Sequence, residues 1–163
     1  MEIKKLTRDD LGDVVLLYNK TMETLPNKFW YKEMNAEDFQ KLIADGCLFG
    51  AFLDSGKMVA VSALELDVPN YVVSDEFISP ELKLGEIGYF MVDEKYRGQG
   101  IINKVNLELL KIAKGVGFNA LCAGIHPSNI SAIKAFSKLG KLEYVGSDRM
   151  DRSYPSVVLG VRI

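Results

Sequence analysis

Hydrophobic positions near the start of the chain recur at the spacing of a helix that buries one face. A short strand over residues 3–6 precedes this helix, and Thr7 between them can cap its first turn. The apolar positions fall at i, i+3, i+4 and i+7: Leu11, Val14, Val15 and Tyr18. A second amphipathic helix is predicted over residues 35–44, and Asp45-Gly46 ends it.

The middle of the chain has the shorter apolar runs that are typical of strands. Runs at 47–53 and 58–66 flank the turn signal Asp54-Ser55-Gly56-Lys57, and together they predict a hairpin. Residues 85–92 predict a further strand. The least regular stretch, residues 67–84, lies between them, and a connection of this length inside a domain is often a functional loop.

Helical spacing returns after residue 100. Apolar residues from Ile101 to Val116 predict a long helix, and residues 119–125 predict a buried strand. A further helix begins at Ser128 or Asn129 and ends at Gly140, and strands at about 141–146 and 154–162 complete the chain. The order β-α-α-β-β-β-α-β-α-β-β predicts one α/β domain over residues 1–163, with seven strands in a mixed sheet and four helices on its two faces.

Composition and charge exclude several classes of function. The 163 residues carry a net charge of −2, which does not favour a nucleic-acid partner. Two cysteines and one histidine without metal-ligand spacing predict no metal site, and we expect Cys47 and Cys122 to be buried thiols in a reducing compartment. No apolar run approaches the roughly 20 residues that span a membrane. We therefore expect a cytoplasmic protein without a membrane partner.

The candidate chemistry lies in residues 91–103, where a strand ends, a charged turn follows, and Gly98 and Gly100 precede a helix. The first N–H groups of a helix have no internal partner and lie at the positive end of its dipole. Glycines let such amides approach a pyrophosphate closely, and Arg97 adds a positive charge beside them. Two glycines before a helix are also typical of an ordinary tight turn. Neither the dinucleotide-binding fingerprint nor the P-loop pattern is present.

In this context the turn Arg97-Gly98-Gln99-Gly100-Ile101-Ile102 resembles the acetyl-CoA motif Q/R-x-x-G-x-G/A of the GNAT superfamily of N-acetyltransferases. A second stretch matches the family pattern N-x-x-A-x-x-x-Y-x-x-x-G except at the aromatic position: Asn129, Ala132, Phe136 and Gly140. The resemblance is best over residues 84–147. It implies the GNAT fold, a mostly antiparallel sheet that is splayed between its fourth and fifth strands.

The same resemblance implies acetyl-CoA as co-substrate. Its pantetheine arm would pair like an extra strand with the backbone near Met91 and Val92. Its pyrophosphate would lie on the backbone amides of the turn, from Arg97 to Asn103. Asn129 would hold the pantetheine or the acyl end. The cofactor-binding residues that the resemblance implies are Met91, Val92, Arg97, Gly98, Gln99, Gly100, Ile101, Ile102, Asn103, Asn129 and Phe136.

Two positions depart from the family pattern. Ile102 stands where the motif has glycine or alanine, so its side chain either crowds the phosphates or points into the core. Because backbone N–H groups make the contacts, we expect affinity to be modulated and not lost. Phe136 stands where many relatives have a tyrosine that protonates the departing thiolate, and a phenyl ring has no proton to give.

Removing the amine proton is the harder problem, so a general base is expected. A thiol with a pKa of about 8.5 departs tolerably as a thiolate, whereas an alkylamine with a pKa of about 10.4 is almost fully protonated at neutral pH. Glu86 lies in the strand before the turn, where some relatives place a glutamate that deprotonates the amine. The alternative is a solvated carboxylate. His126 is a second candidate base, and Tyr89 and Tyr144 are other sources of the missing hydroxyl.

The acceptor side is less defined. Phe29, Trp30 and Tyr31 lie between the first two helices and cannot all face one way, so at least one is expected to be exposed or to line a cleft. The alternative is ordinary core packing. Acidic residues in the long loop favour a cationic acceptor: Asp67, Asp75, Glu76 and Glu81.

We therefore predict an N-acetyltransferase in which a primary amine of a small molecule or peptide attacks acetyl-CoA directly, without a metal. One alternative is a non-catalytic acyl-CoA-binding module, which the loss of tyrosine at Phe136 favours. Another is an interaction protein that no longer binds the cofactor. Dimers are common in the family, so a homodimer is compatible with the resemblance.

Overall fold

The computed structural model describes residues 1–66, 72–73, 81–147 and 157–163. Within them lie eight strands: β1 (Glu2–Lys5), β2 (Leu48–Phe52), β3 (Met58–Glu65), β4 (Val72–Val73), β5 (Leu84–Val92), β6 (Ala120–Ile125), β7 (Glu143–Ser147) and β8 (Val157–Arg162). The same residues form four α-helices: α1 (Leu11–Thr24), α2 (Ala36–Ala44), α3 (Ile101–Gly115) and α4 (Ile130–Phe136). Short 3₁₀ turns connect several of them: Arg8–Asp10, Lys28–Trp30, Glu94–Tyr96 and Ser137–Leu139.

The strands form one mixed sheet in the order β1-β2-β3-β5-β6-β8-β7-β4. Among the described strands, β5 and β6 are parallel and all other neighbours are antiparallel. The predicted mixed, mostly antiparallel sheet is therefore confirmed. The strand β4 is a correction, because Val72 and Val73 lie in the stretch predicted as loop but pair with the end of β7. Two residues are too few to show the alternation of apolar and polar positions by which a strand is predicted from sequence.

Helices cover both faces of the sheet, as predicted. On one face, α3 and α4 pack over the central strands, and Leu109 and Phe136 have no exposed surface there. On the other face, α1 and α2 pack through residues such as Val14 and Phe39, which are also fully buried. Each such large apolar side chain contributes about 1.5–3 kcal/mol on burial. The central strands β3 and β5 are thus held from both sides.

Local hydrogen bonds explain where the first two helices begin. The side chain of Asn35 accepts from the N–H groups of Glu37 and Asp38 at 2.8 and 3.0 Å, and that of Asp38 accepts from Asn35 at 2.8 Å, so α2 has a reciprocal cap. Thr7 begins a 3₁₀ turn that precedes α1, and both its N–H and its hydroxyl donate to Asp10. The helix itself therefore starts later than a cap at Thr7 would place it.

Both cysteines are free thiols, with Cys122 buried in β6 and Cys47 half-buried before β2. Burial, and then Glu86, raises the pKa of Cys122 to about 12, so this thiol is not a nucleophile at neutral pH. In the described parts of the chain, no helix has the length and apolar character needed to cross a bilayer.

Candidate active site

A β-bulge bends β5 at the centre of the sheet. Ser62 of β3 lies opposite two residues of β5, Tyr89 and Phe90, and its hydroxyl donates to the Gly88 carbonyl at 3.1 Å. Tyr89 has φ 54°, a left-handed conformation that costs a non-glycine residue about 1–2 kcal/mol. Bulges bend the strand that carries them and often lie next to active sites. This one lies beyond the last row in which β5 pairs with β6.

The sheet opens directly after the row that contains Glu86. Parallel pairing of β5 with β6 ends at Glu86 and Cys122, although both strands continue beyond this row. The N–H of Asp93 donates to a carbonyl of β3, so the N–H and C=O of the preceding Val92 point to the opposite side of β5. The Val92 carbonyl accepts from Arg97 Nε, and its N–H is directed toward the opening. An extended ligand with amide groups can pair with such an edge as an additional strand. With β4 left aside, β5 and β6 are the fourth and fifth strands, so the predicted splay is confirmed.

The turn beyond β5 has the geometry of an anion site. Gly98 and Gly100 have φ values of 75° and 72°, and left-handed residues in a turn gather successive N–H groups into a concave nest. The helix α3 starts at Ile101, so its first N–H groups and its positive dipole end lie beside the nest. A Cβ on Gly98 would meet no protein atom within 4 Å. These features fit a pyrophosphate, with glycine required for the backbone angle and for close approach of a ligand.

The first two turns of α3 contain both an apolar residue that fits the core and polar residues that lack partners. Ile102 is half-buried and packs against the core beneath the helix, which is the second of its two predicted orientations. Asn103 has a buried side-chain oxygen, and Asn106 is fully buried. Neither this oxygen nor either amide atom of Asn106 has a hydrogen-bond partner among the described residues. Sequence reasoning missed Asn106, because a polar helix position is normally solvated.

Arg97 is directed at the end of α1. Its Nε donates to the Val92 carbonyl at 3.1 Å, and its Nη2 and Nη1 donate to the Thr24 hydroxyl and carbonyl at 2.7 and 3.4 Å. A cation is favourable at the C-terminal end of a helix. The sequence predicted a positive charge beside the phosphate turn, and the structure adds that this charge tethers the turn to α1. Gln99 is exposed and donates to the Lys95 carbonyl at 3.1 Å.

A second hydrogen-bond chain crosses from the α1–α2 connection to the turn that follows β6. Trp30 Nε1 donates to Ser128 Oγ at 2.8 Å, and Ser128 Oγ lies 2.9 Å from His126 Nδ1. The Ser128 N–H also donates to His126 Nδ1, at 3.2 Å. The Ser128 N–H can only donate, so Nδ1 is the acceptor and the neutral ring carries its proton on Nε2. This chain fixes the orientation of the His126 ring, and the role of His126 as a second candidate base stays a prediction.

Two of the four residues of the second family pattern, Asn129 and Phe136, have clear structural positions. Asn129 caps α4, since its Oδ1 accepts from the Ala132 N–H at 3.1 Å, and its amide nitrogen is the group that remains to donate to a ligand. Phe136 lies in the core with no exposed surface. It fills the space beneath α4 and supplies no proton.

Glu86 is on the sheet face that α1 and α2 cover, because its neighbour Ile87 packs into the core on the opposite face. Its Oε1 lies 3.7 Å from the place that a Cβ on Gly88 would take, so the carboxylate extends along β5 toward the bulge. Burial, and then Glu65 and Glu86, raises the pKa of Tyr89. The hydroxyl of Tyr89 therefore keeps its proton more strongly than that of an ordinary tyrosine and is a weak acid for a thiolate.

Aromatic residues line the same face beside the bulge. The ring centroid of Tyr31 lies 5.7 Å from that of Tyr18 and 6.3 Å from that of Tyr89. Tyr31 is buried, whereas Phe29 is 56% exposed, so the prediction that at least one of the three adjacent aromatics is exposed is confirmed. Tyr144 is 66% exposed on β7, which two strands separate from β5, so it does not reach the opening.

The described residues include only part of the predicted acceptor loop. Asp67, Asp75 and Glu76 lie outside the described residues, and Glu81 is exposed before β5.

Comparison with known proteins agrees with this geometry. The model of the acetyltransferase (GNAT) family matches residues 14–141, more than half of the chain. No curated protein matches it by sequence.

Solved structures resemble the fold over nearly the whole chain. A ribosomal-protein-alanine N-acetyltransferase from Brucella melitensis is 20% identical with a TM-score of 0.72, and the match covers 100% of both chains. A phosphinothricin acetyltransferase from Sinorhizobium meliloti, solved with AcCoA, is 16% identical with a TM-score of 0.71, over 99% of this chain and 88% of the other. The PaiA N-acetyltransferase from Thermoplasma acidophilum, solved with coenzyme A, is 18% identical with a TM-score of 0.69, over 99% and 98%. At these identities the likeness shows the fold alone.

Proposed function

The chain belongs to the acetyltransferase (GNAT) family, and on that premise we propose that it transfers an acetyl group from acetyl-CoA to a primary amine by direct attack. The observation that carries the proposal is the pairing of two features at one end of β5. The strand separates from β6 to leave an open edge, and it leads into a turn whose two left-handed glycines gather backbone amides at the start of α3. An open edge suits an amide-bearing arm, and the turn suits the phosphates attached to it.

Acetyl-CoA supplies an activated acyl thioester. The new C–N bond replaces the C–S bond, and of the two protons that the ammonium group loses, one goes to a base and one to the departing thiolate. Glu86 is the base in this proposal, since its carboxylate extends along β5 from the row where the strands separate.

Nothing in the proposal requires an acid at Phe136. A thiolate with a conjugate pKa of about 8.5 is a tolerable leaving group near neutral pH. The backbone edge of β5 would hold the thioester close to the amine, and such positioning accounts for much of the rate in direct transfer.

The first test is calorimetric titration with acetyl-CoA, with free CoA as a control, followed by thiol release in the presence of primary amines. We expect binding of both ligands and thiol release that depends on the amine. Glu86→Gln should lower kcat by about 10²–10⁴-fold, the usual contribution of a general base, with little change in the KM for acetyl-CoA.

Glu143→Gln is a matched control, because Glu143 lies on β7 of the same sheet and is 3.9 Å from Arg162. It should leave kcat unchanged. An unchanged kcat in Glu86→Gln would remove Glu86 from the mechanism. Binding of acetyl-CoA without thiol release from any amine would favour the non-catalytic acyl-CoA-binding module, which the buried Phe136 keeps as the second candidate.

A further inference from the structure

Glycine occupies both walls of the opening between β5 and β6 at its closed end, the end nearest the last paired row. That row joins Glu86 to Cys122. Two residues further along each strand lie Gly88 on β5 and Gly124 on β6. Because side chains alternate along a strand, positions 88 and 124 share the sheet face of the last paired row. A side chain at either position would therefore stand beside the start of the opening.

The backbone conformation does not require glycine at these two positions. Neither Gly88 nor Gly124 has a positive φ, so alanine can adopt the backbone of both. Glycine inside a strand weakens the strand, and it often marks a bulge or the close approach of a ligand. The bulge in β5 is one reason for Gly88. It does not explain Gly124, because β6 pairs with β8 in unbroken register from Ala120 to Ile125.

Space is present beside both glycines. Within the described parts of the chain, a Cβ on Gly88 would have one atom within 4 Å, Glu86 Oε1 at 3.7 Å, which is an ordinary contact distance. Gly124 is exposed. Cys122 on the same strand and Val158 opposite Gly124 on β8 have no exposed surface. The exposure of Gly124 therefore comes from the opening itself and not from an uncovered region of the sheet.

Each wall is held in place from its outer side. The Gly88 carbonyl accepts from the Ser62 hydroxyl of β3 at 3.1 Å, and Gly124 lies opposite Val158 of β8. Paired strands lie about 4.8 Å apart, so the two walls are still close together just beyond the last paired row. Walls without side chains leave room for a ligand chain at this point, and a methyl group on either wall would take part of that room.

We propose that the acyl group of the co-substrate lies between Gly88 and Gly124, and that this space admits acyl groups larger than acetyl. This inference rests on the proposed function and deepens it. The turn that fits the phosphates lies beyond the far end of β5. An arm that enters there and pairs along the open edge therefore has its acyl end nearest the closed end. Gly124 borders an apolar cluster that includes Cys122 and Val158, so the acyl class is a short alkyl chain such as butyryl.

The experiment measures binding by calorimetry and therefore needs no acceptor. The ligands are free CoA, acetyl-CoA and butyryl-CoA. We expect the unaltered protein to bind butyryl-CoA at least as tightly as acetyl-CoA, because the longer chain buries more apolar surface. Gly124→Ala should weaken the binding of butyryl-CoA about tenfold and that of acetyl-CoA less than about threefold, and leave free CoA unaffected, since an added methyl group overpacks the space. Gly88→Ala should act in the same way.

Gly115→Ala is the matched control, because it makes the same substitution at the far end of α3, where an added Cβ meets open space. It should leave all three affinities unchanged. Circular dichroism and a thermal scan check that each variant is folded, and if one of the two wall variants does not fold, the other provides the test.

Two results would overturn the inference. One is an affinity of the unaltered protein for butyryl-CoA that is more than about tenfold below its affinity for acetyl-CoA, a comparison that needs no variant. The other is an equal effect of a folded wall variant on all three ligands. Absence of binding by any of the three ligands would overturn the proposed function as well, so the two failures are distinguishable.

Discussion

The tether between Arg97 and Thr24 joins the glycine turn before α3, which we propose binds the phosphates, to the end of α1. Its removal should affect both stability and acetyl-CoA binding. Thr24→Val keeps the shape of the side chain but removes the hydroxyl that accepts from Arg97 Nη2 at 2.7 Å. A hydrogen bond to a charged group contributes about 1.5–3 kcal/mol, and both residues here are only half-buried, so we expect a coupling of about 1–2 kcal/mol. The same hydroxyl also donates to the Lys20 carbonyl at 3.0 Å, a loss that belongs to Thr24 alone.

A double-mutant cycle separates these contributions. The free energy of unfolding in urea is measured for the unaltered chain, Thr24→Val, Arg97→Met and the double variant. The hydrogen bond from Arg97 to the Val92 carbonyl is lost in both variants that carry Arg97→Met, so it cancels from the coupling energy. Because the tether holds the turn, Thr24→Val should also weaken acetyl-CoA binding by about threefold to tenfold, although Thr24 lies on α1. Additivity within about 0.5 kcal/mol would refute the tether.

Three further predictions concern the turns that frame the site. Trp30→Phe should lower the free energy of unfolding in urea by about 0.5–1.5 kcal/mol, because it removes one hydrogen bond across the opening. It should also raise the KM for the acceptor more than the KM for acetyl-CoA. Gly100→Ala should lower the free energy of unfolding by about 1–2 kcal/mol, because alanine is strained at a left-handed φ, and it should weaken acetyl-CoA binding in calorimetry. Gly115→Ala, in the last turn of α3, should instead raise the free energy of unfolding by about 0.5–1 kcal/mol. A hydrogen bond from Lys57 holds the pKa of Asp93 below its ordinary value. Ionised Asp93 therefore stabilises the folded state at pH values above the unfolded pKa of about 3.9, and this contribution is lost as the pH falls through the lower folded pKa. Asp93→Asn should therefore lower the thermal midpoint at pH 7 but leave it nearly unchanged near pH 2.

Much of the fold and part of the candidate site follow from local patterns in the chain. The helical spacing from Ile101 onward and the glycines before it predict α3 and the turn at its start, because these signals act within a few residues. Gly98 and Gly100 take the left-handed angles that only glycine adopts at little cost, so the sequence pattern and the backbone geometry agree. The splay between β5 and β6 followed from resemblance to a family and not from any local signal.

Other features depend on residues that are far apart in the chain. The direction of Arg97 is set by Thr24, 73 residues earlier, and the Trp30–Ser128 bond joins residues 98 positions apart. The strand β4 exists because β7 offers it an edge. Burial of Asn106 likewise follows from how α3 packs, which its own polarity does not indicate.

The sequence by itself determined the helices, most of the strands, the glycine turn before α3 and the absence of a hydroxyl at Phe136. Each of these depends on the period, the backbone freedom or the chemistry of neighbouring residues. Only the tertiary structure decided that Glu65 stands opposite Glu86 at the mouth of the opening. Strand register is the reason, because a shift of one residue would turn either carboxylate to the other face of the sheet.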